Sequence, residues 1–405
     1  MKAVSLYIHI PFCNSKCSYC DFLSFSDINN QEKEYINALI NELSLYKGLM
    51  KDRTLATLFV GGGTPSSISP ELIEKVLKYV FMNFNIQDNA EITIEVNPES
   101  ITAEKARKYL AAGINRISMG VQSFDEKELK LLGRIHRAED AINAFYILRE
   151  AGFSNINIDL MFGLPNQNIN TYYKTLENAM ELEPEHISAY GLIIEPNTPF
   201  YEKYGNDADE VFDEDIEREM YNLTKSVLRT KEFYQYEISN YSKIGYECRH
   251  NKVYWTLGEY FGVGLGAASF NSISDKLLRY ENVNSFKKYL EIFSELRLNE
   301  NNNINQTRIE KIEILSSNWE NKIEATVNSR MEEYMFLGMR LINGIDKNEF
   351  EKTFHIKIEK VYQEALIKLK NKNLIIEEDN RIFLTEKGID VSNYVLSEFI
   401  GIEQL

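Results

Sequence analysis

YIHIPFCNSKCSYCDF, from Tyr7 to Phe22, runs an alternating segment into a loop that holds three of the chain's four cysteines, Cys13, Cys17 and Cys20. Period-two alternation over residues 4–10 predicts a strand that delivers this loop at its C-terminal end. The C-x3-C-x2-C spacing supplies three thiolates, one fewer than a structural zinc site or an electron-carrying iron–sulfur cubane normally takes from protein. The remaining cysteine, Cys248, is more than two hundred residues away in a different motif. The spacing therefore reads as a [4Fe-4S] cluster with one iron open to a small ligand. A zinc knuckle completed by His9 is the competing reading; it suffers because His9 lies in the strand-like run just before Pro11. Disulfides fit less well, since four cysteines in 405 residues with no signal peptide suit a reducing compartment.

Composition narrows the class. A chain of 405 residues exceeds the usual size of one hydrophobic core, so one large domain plus a smaller one is expected. No apolar run approaches the ~20 residues that span a bilayer, so stable membrane insertion is not expected. A formal charge of −16 argues against non-specific nucleic-acid binding, which needs clustered Lys and Arg. The expectation is a soluble, acidic, cytoplasmic protein.

After the cysteine loop, residues 30–49 have helical periodicity, with Tyr35, Leu39, Ile40, Leu43 and Tyr46 on one stripe. The strand–helix unit then recurs. Strands are expected at 55–60, 92–96, 116–121, 156–161 and 186–194. Helices are expected at 70–84, 103–112, 126–132, 138–151 and 171–182. Such alternation predicts parallel β–α units with right-handed crossovers. Six units fall short of an eight-unit barrel, and in barrels of this kind the chemistry sits at the C-terminal strand ends. The polar and glycine-rich motifs fall at those ends. Gly61-Gly62-Gly63-Thr64 lets backbone approach a ligand, and its amides can hold an ammonium–carboxylate end. Glu95, Gln122, Arg134 and Asp159 offer carboxylate, amide and guanidinium groups beside it.

At this point the sequence resembles the radical S-adenosylmethionine (SAM) proteins, whose signature is C-x3-C-x2-C with an aromatic residue before the last cysteine, here Tyr19. The resemblance implies that SAM chelates the open iron, and that the fold is a partial six-unit α/β barrel. HIPFC, GGGTP, EVNP, NRISMGVQSF, LGRIH and DLMFGLP occur in the order and spacing of the oxygen-independent coproporphyrinogen oxidase group. By that resemblance Tyr7, Tyr19, Gly63, Thr64, Glu95, Gln122, Arg134 and Asp159 are SAM-binding positions, and a one-electron reductant feeds the cluster. The protein orients and shields while the cofactors carry the chemistry; no residue is assigned a catalytic role.

Two features select a branch. The decarboxylating members carry a further cysteine two positions past the third, where Phe22 stands here, and a longer N-terminal segment. Both departures point to the sister branch of heme chaperones, which bind heme and pass it to acceptors such as respiratory proteins. The alternative is an oxygen-independent coproporphyrinogen III dehydrogenase. Downstream, Cys248-Arg249-His250-Asn251-Lys252-Val253-Tyr254-Trp255 contains HNxxYW, linked in that branch with heme. A neutral imidazole at His250 is a suitable axial ligand, Cys248 is a second candidate, and Tyr254 and Trp255 can pack on a porphyrin. On residue types alone, finishing the barrel and covering its mouth is the commoner role for His250 and Trp255. His136 and His186 read as satisfied structural groups, and the 262–266 glycine run as a turn that can approach SAM or a planar ligand.

The core, with its cluster and heme-motif segment, is expected over residues 1–295, and a smaller domain over 296–405 after an Asn-rich connection at 298–306. Helices followed by a strand pair at 374–376 and 381–384 suggest a winged-helix-like fold. Its acidic composition favours a lid or partner-docking module over DNA binding. EYMFLGMRLINGI and LTEKGIDVSNYVLSEF match the C-terminal domain of the same oxidase-like group.

Overall fold

The computed structural model describes residues 1–26, 31–205, 213–273, 276–294, 296 and 306–401. Residue 30, at the expected start of the first helix, and residues 298–305 of the expected connection lie outside that range.

Six parallel strands form the centre: β1 (Lys2–Ile10), β2 (Arg53–Gly62), β3 (Ile86–Val96), β4 (Arg116–Gln122), β5 (Ile156–Phe162) and β6 (His186–Gly191). Between them run α1 (Glu32–Tyr46), α2 (Pro70–Asn83), α3 (Ala103–Ala111), α4 (Glu126–Leu131), α5 (Ala138–Ala151) and α6 (Ile169–Glu181). The local chemistry explains the boundaries. Pro70 occupies the first turn of α2, where its missing N–H is not needed. Asp125 and Asn168 accept backbone N–H groups at the starts of α4 and α6. Gly152 adopts the left-handed conformation (φ 110°) that ends α5.

The sheet does not stop at six strands. Further strands on both sides extend it to twelve, which places β1 well inside the sheet. On one side β8 (Asn240–Ser242) and β7 (Tyr234–Glu237) pair antiparallel beyond β6. On the other, β9 (Tyr260–Val263) pairs parallel to β1, and β10 (Ala268–Asn271), β11 (Leu278–Asn282) and β12 (Trp319–Glu324) continue antiparallel. The expected glycine turn at 262–266 is thus partly strand. Gly264 lies against the His9 carbonyl and the Tyr35 hydroxyl, and Gly266 against Leu23, so this segment backs β1 and the cysteine loop.

These added strands change α1. An amphipathic stripe was the expectation, yet Ala38 to Tyr46 is buried throughout. The helices Phe286–Phe293 and Arg308–Ser317 cover the side that a bare barrel would leave to solvent. Burial extends to Glu42, which is held in full: Gly264 N–H and Tyr289 O–H donate to one oxygen at 2.8 and 2.6 Å, and Asn282 Nδ2 to the other at 2.8 Å. Burial still pushes its carboxyl up to about 7.

The expected division at residue 296 falls too early. Leu315 belongs to the barrel's core and β12 to its sheet, whereas a separate core begins at Met331. That second core is built from the helices Val327–Gly338, Lys347–Phe354 and Ile358–Asn371. A small sheet in the order β13 (Ile345–Asp346), β15 (Arg381–Leu384), β14 (Ile375–Glu378) completes it. Helices followed by a polar hairpin give the winged-helix-like form. No helix among the described residues is long and apolar enough to cross a membrane.

Candidate functional site

The C-terminal ends of the parallel strands open into a cavity of about 340 Å³ walled by the cysteine loop. Cys13, Cys17, Cys20, Tyr19, Gly63, Thr64, Glu95, Gln122, Arg134 and Asp159 all line it. The loop is clamped on both flanks. Cys13 N–H donates to the Phe25 carbonyl (3.0 Å), Phe25 N–H to the Pro11 carbonyl (2.8 Å), and Ser18 N–H to the Leu132 carbonyl (2.9 Å).

The glycine run does a different job from the one expected. Gly63 N–H donates to the Ile10 carbonyl at 2.9 Å and Thr64 N–H to the Phe12 carbonyl at 2.7 Å, while Gly62 N–H donates to Glu95 Oε2 at 3.0 Å. These amides are therefore engaged by protein and are not free for a ligand. What glycine contributes is proximity: a Cβ on Gly63 would stand 2.7 Å from the Phe12 carbonyl oxygen and 2.9 Å from Cys13 Sγ. The run lets β2 press against the cysteine loop and fixes its seat.

Arg134 ties three walls together. Its Nη2 donates to Asn97 Oδ1 (2.9 Å) and to the Gly120 carbonyl (2.5 Å), and its Nη1 reaches Cys17 Sγ at 3.5 Å. Asn97 Nδ2 in turn donates to Thr64 Oγ1 at 3.0 Å, and Thr64 Oγ1 lies 3.5 Å from Cys13 Sγ. Gln122 carries a left-handed backbone (φ 71°) at a break in the β4–β5 register, a costly conformation for a residue other than glycine. Its Oε1 accepts the Tyr190 hydroxyl at 2.8 Å. Asn97 and Tyr190 escaped sequence reasoning. Asn97 stood inside the quoted EVNP, and Tyr190 near the end of the sixth strand, so the strand-end rule could have found both. Tyr7 is not among the residues that line the cavity: its hydroxyl lies 3.0 Å from His9 Nδ1 and its ring stacks on Phe59.

The electrostatics of the cavity ask for a cation. Burial, with the Asp159 charge adding to it, pushes the Glu95 carboxyl up to about 8. Burial also raises Asp159, despite hydrogen bonds from Asn157 and Ser188. Two desolvated carboxyls face one space, and Arg134 is already committed to other partners. A ligand bearing an ammonium and a sulfonium, as SAM does, offsets that cost. The donor set suits a cubane, in which each of three thiolates would bind its own iron: Cys13, Cys17 and Cys20 all stand on the cavity wall.

His250 is elsewhere. Helix Arg249–Trp255 closes the other end of the barrel, its start capped by Glu91: Arg249 N–H donates to Oε2 (2.9 Å) and His250 N–H to Oε1 (3.0 Å). Glu91 precedes Glu95 by four residues on β3, about 13 Å along the strand. His250 is 1% exposed, and both ring nitrogens are paired. Thr57 Oγ1 donates to Ser5 Oγ at 2.7 Å, so it accepts from His250 Nδ1–H at 2.7 Å; Nε2 is left to accept the Tyr254 hydroxyl at 2.9 Å. Burial, then the Arg116 charge, lowers the imidazole to about 3, so it stays neutral. Phe59 packs on the ring. In this arrangement iron could reach neither nitrogen of His250 without withdrawal of the helix. Cys248 is enclosed as well, a thiol pushed up to about 12 by burial. Trp255 packs beneath Arg340 of the C-terminal domain, 4.5 Å from guanidinium to ring centre, instead of offering its face to a ligand.

Comparison with known proteins agrees with this geometry. Residues 7–179 match the radical SAM superfamily, and residues 325–391 match the HemN C-terminal domain. The heme chaperone HemW of Bacillus subtilis is 34% identical over 98% of this chain and 99% of its own length. That of Haemophilus influenzae is 34% identical over 99% of this chain and 98% of its own. Among solved structures, the radical SAM enzyme coproporphyrinogen III oxidase (HemN) of Escherichia coli superposes with a TM-score of 0.81. It is 23% identical, over 98% of this chain and 90% of that one, and so speaks to the fold alone.

Proposed function

This chain belongs to the HemW family of radical SAM proteins, and from that premise we propose that it is a heme chaperone, binding heme and transferring it to acceptor proteins of respiration. The observation that carries the reading is full-length similarity to proteins named for that role, on a chain whose cavity keeps a complete cysteine and polar set.

In this reading Cys13, Cys17 and Cys20 hold a [4Fe-4S] cluster. SAM occupies the cavity between Tyr19, Gly63, Thr64, Glu95, Gln122, Arg134 and Asp159, with Tyr7 packed on His9 and Phe59 nearby. When bound and reduced by a one-electron donor, the pair supplies radical chemistry or a redox signal. The chain's own residues hold the arrangement in place. Gly63 and the Phe25 contacts seat the loop, Arg134 sets a positive charge beside the Cys17 sulfur, and Glu95 and Asp159 receive the cationic end of the ligand. Since His250 and Cys248 are enclosed, heme that binds without displacing the helix Arg249–Trp255 is held by other groups. The C-terminal domain serves as the partner-docking module.

The competing reading, a coproporphyrinogen III dehydrogenase, draws on the shared fold. Phe22 stands at the cavity, 60% exposed, where that enzyme group carries a further cysteine. The test is a hemin titration of anaerobically reconstituted protein, followed by mixing with an apo-form of a respiratory heme protein. One heme bound per chain, then lost to the acceptor, supports the chaperone. Failure to bind heme, together with conversion of coproporphyrinogen III by the reduced protein with SAM, would replace it with the enzyme.

A further inference from the structure

Between the cavity and the helix Arg249–Trp255 the barrel interior is polar, and one row of its hydrogen bonds runs from Cys248 to Asp159. Cys248 N–H donates to the Tyr236 hydroxyl oxygen at 3.2 Å. The Tyr236 hydroxyl lies 2.8 Å from His186 Nε2, and His186 Nδ1 lies 2.6 Å from Asn157 Oδ1. Asn157 Nδ2 donates to Asp159 Oδ1 at 2.7 Å. An amide oxygen only accepts, so Nδ1 carries the imidazole proton and Nε2 accepts from Tyr236. Each donor thus points toward Asp159. The chain includes two side chains that are wholly or nearly wholly buried, His186 (0% exposed) and Asn157 (1% exposed). Arg116, also fully buried, feels Cys248, Glu91, Tyr236 and Asp159 together. An amide cannot pass a proton along such a row, so the row's role is to orient.

The far end of the row is anchored on the second domain. The Tyr236 carbonyl accepts Ile342 N–H at 3.1 Å, and Glu237 bridges Leu341 as a short antiparallel pair. Arg340 lies over the Trp255 ring at 4.5 Å and reaches Glu237 Oε2 at 3.6 Å. One residue, Tyr236, therefore binds the C-terminal domain through its backbone and heads the row to Asp159 through its side chain.

We propose that Tyr236 is a positioning residue for the SAM cavity, and that docking of the C-terminal domain at Arg340, Leu341 and Ile342 sets SAM affinity through the row Tyr236–His186–Asn157–Asp159. This rests on the reading of Asp159 as part of the SAM site. Loss of the hydroxyl leaves His186 Nε2 and Cys248 N–H unpaired, frees the imidazole to turn, and loosens Asn157, whose remaining partners beside Asp159 are Ser188, donating to its Oδ1 at 3.2 Å, and Ser118, accepting from its Nδ2 at 2.8 Å.

The test measures SAM affinity by calorimetry, and by the SAM-induced change in the EPR spectrum of the reduced cluster, with iron content per chain recorded for every variant. Tyr236→Phe is expected to weaken SAM about ten-fold, the size of one buried hydrogen bond's loss, at unchanged iron content. Arg340→Ala, which touches only the joint, is expected to weaken SAM by about three-fold on the same scale. Tyr280→Phe is the control: it removes a buried hydroxyl bonded to Asn271 and Tyr46, far from the cavity, and should leave SAM affinity within two-fold on that scale. SAM affinity of Tyr236→Phe equal to wild type, or an equal loss in Tyr280→Phe, overturns the proposal. If Tyr236→Phe fails to fold, Arg340→Ala decides, and an unaltered affinity there overturns it. If wild-type protein itself shows no SAM effect on its cluster, the reading of the cavity falls instead.

Discussion

His250→Ala separates a structural histidine from a heme ligand. The substitution removes an imidazole that is 1% exposed, bonded at 2.7 Å to Thr57 and at 2.9 Å to Tyr254, and packed 5.1 Å from the Phe59 ring centre. The buried Thr57 hydroxyl and the partly buried Tyr254 hydroxyl lose a partner, and an aromatic-sized void opens beside Phe59. Each stranded polar group costs about 1–3 kcal/mol, and large-to-small changes in a core cost about 2–5 kcal/mol. These overlap, because Ser5 and solvent entering the void partly satisfy the hydroxyls, so a net loss of about 3–5 kcal/mol is expected. That is a large share of the ~5–15 kcal/mol that holds a typical domain folded. Denaturant unfolding of wild type and variant should record the loss. Hemin titration of the still-folded variant should give an affinity within about three-fold of wild type, less than 1 kcal/mol, with the same Soret position. The opposite pattern would refute the reasoning: stability unchanged while heme affinity or the Soret band is lost. His250 would then be an axial ligand, and the helix Arg249–Trp255 would have to withdraw to admit heme.

Three further outcomes follow from the same structure. Burial raises Glu95 to about 8, and a cationic ligand prefers its ionised form. The affinity difference between wild type and Glu95→Gln for SAM should therefore grow about ten-fold per pH unit up to about pH 8 and then level off; calorimetry at three pH values that finds a constant difference would oppose this. Glu42 has a folded pKa of about 7 against 4.5 for the ordinary carboxyl, so the folded state holds the proton more tightly. Its contribution is fully present below pH 4.5 and is lost as pH rises through 7. About 3 kcal/mol of stability should go from wild type over that window, and Glu42→Gln should lack this slope in paired unfolding curves. Gly63→Ala places a Cβ 2.7 Å from the Phe12 carbonyl and 2.9 Å from Cys13 Sγ; iron retained after anaerobic reconstitution should fall to less than half of wild type, and full retention would show that the loop can shift.

Much of this protein was legible in its sequence. Alternating strands and helical stripes located all six parallel strands, because a strand buried on both faces must be apolar and its helix must carry a matching face. The cysteine spacing and the motifs at strand ends named nine of the residues that line the cavity, since parallel β–α units deliver their loops to one end, and the family resemblance added Tyr19. Tertiary structure decided the rest. Short strands such as β7 to β10 have only three or four residues each and no periodicity of their own, so the twelve-stranded sheet arises from pairing partners distant in sequence. Burial of Glu42 and of nearly all α1 depended on those partners. The glycine amides looked free for a ligand until the cysteine loop was folded onto them, and the enclosure of HNxxYW is set by Thr57 and Phe59 at His250 and by Arg340 at Trp255. A motif states which groups are present; whether a nitrogen lone pair is free or already bonded depends on residues brought to it from elsewhere in the chain.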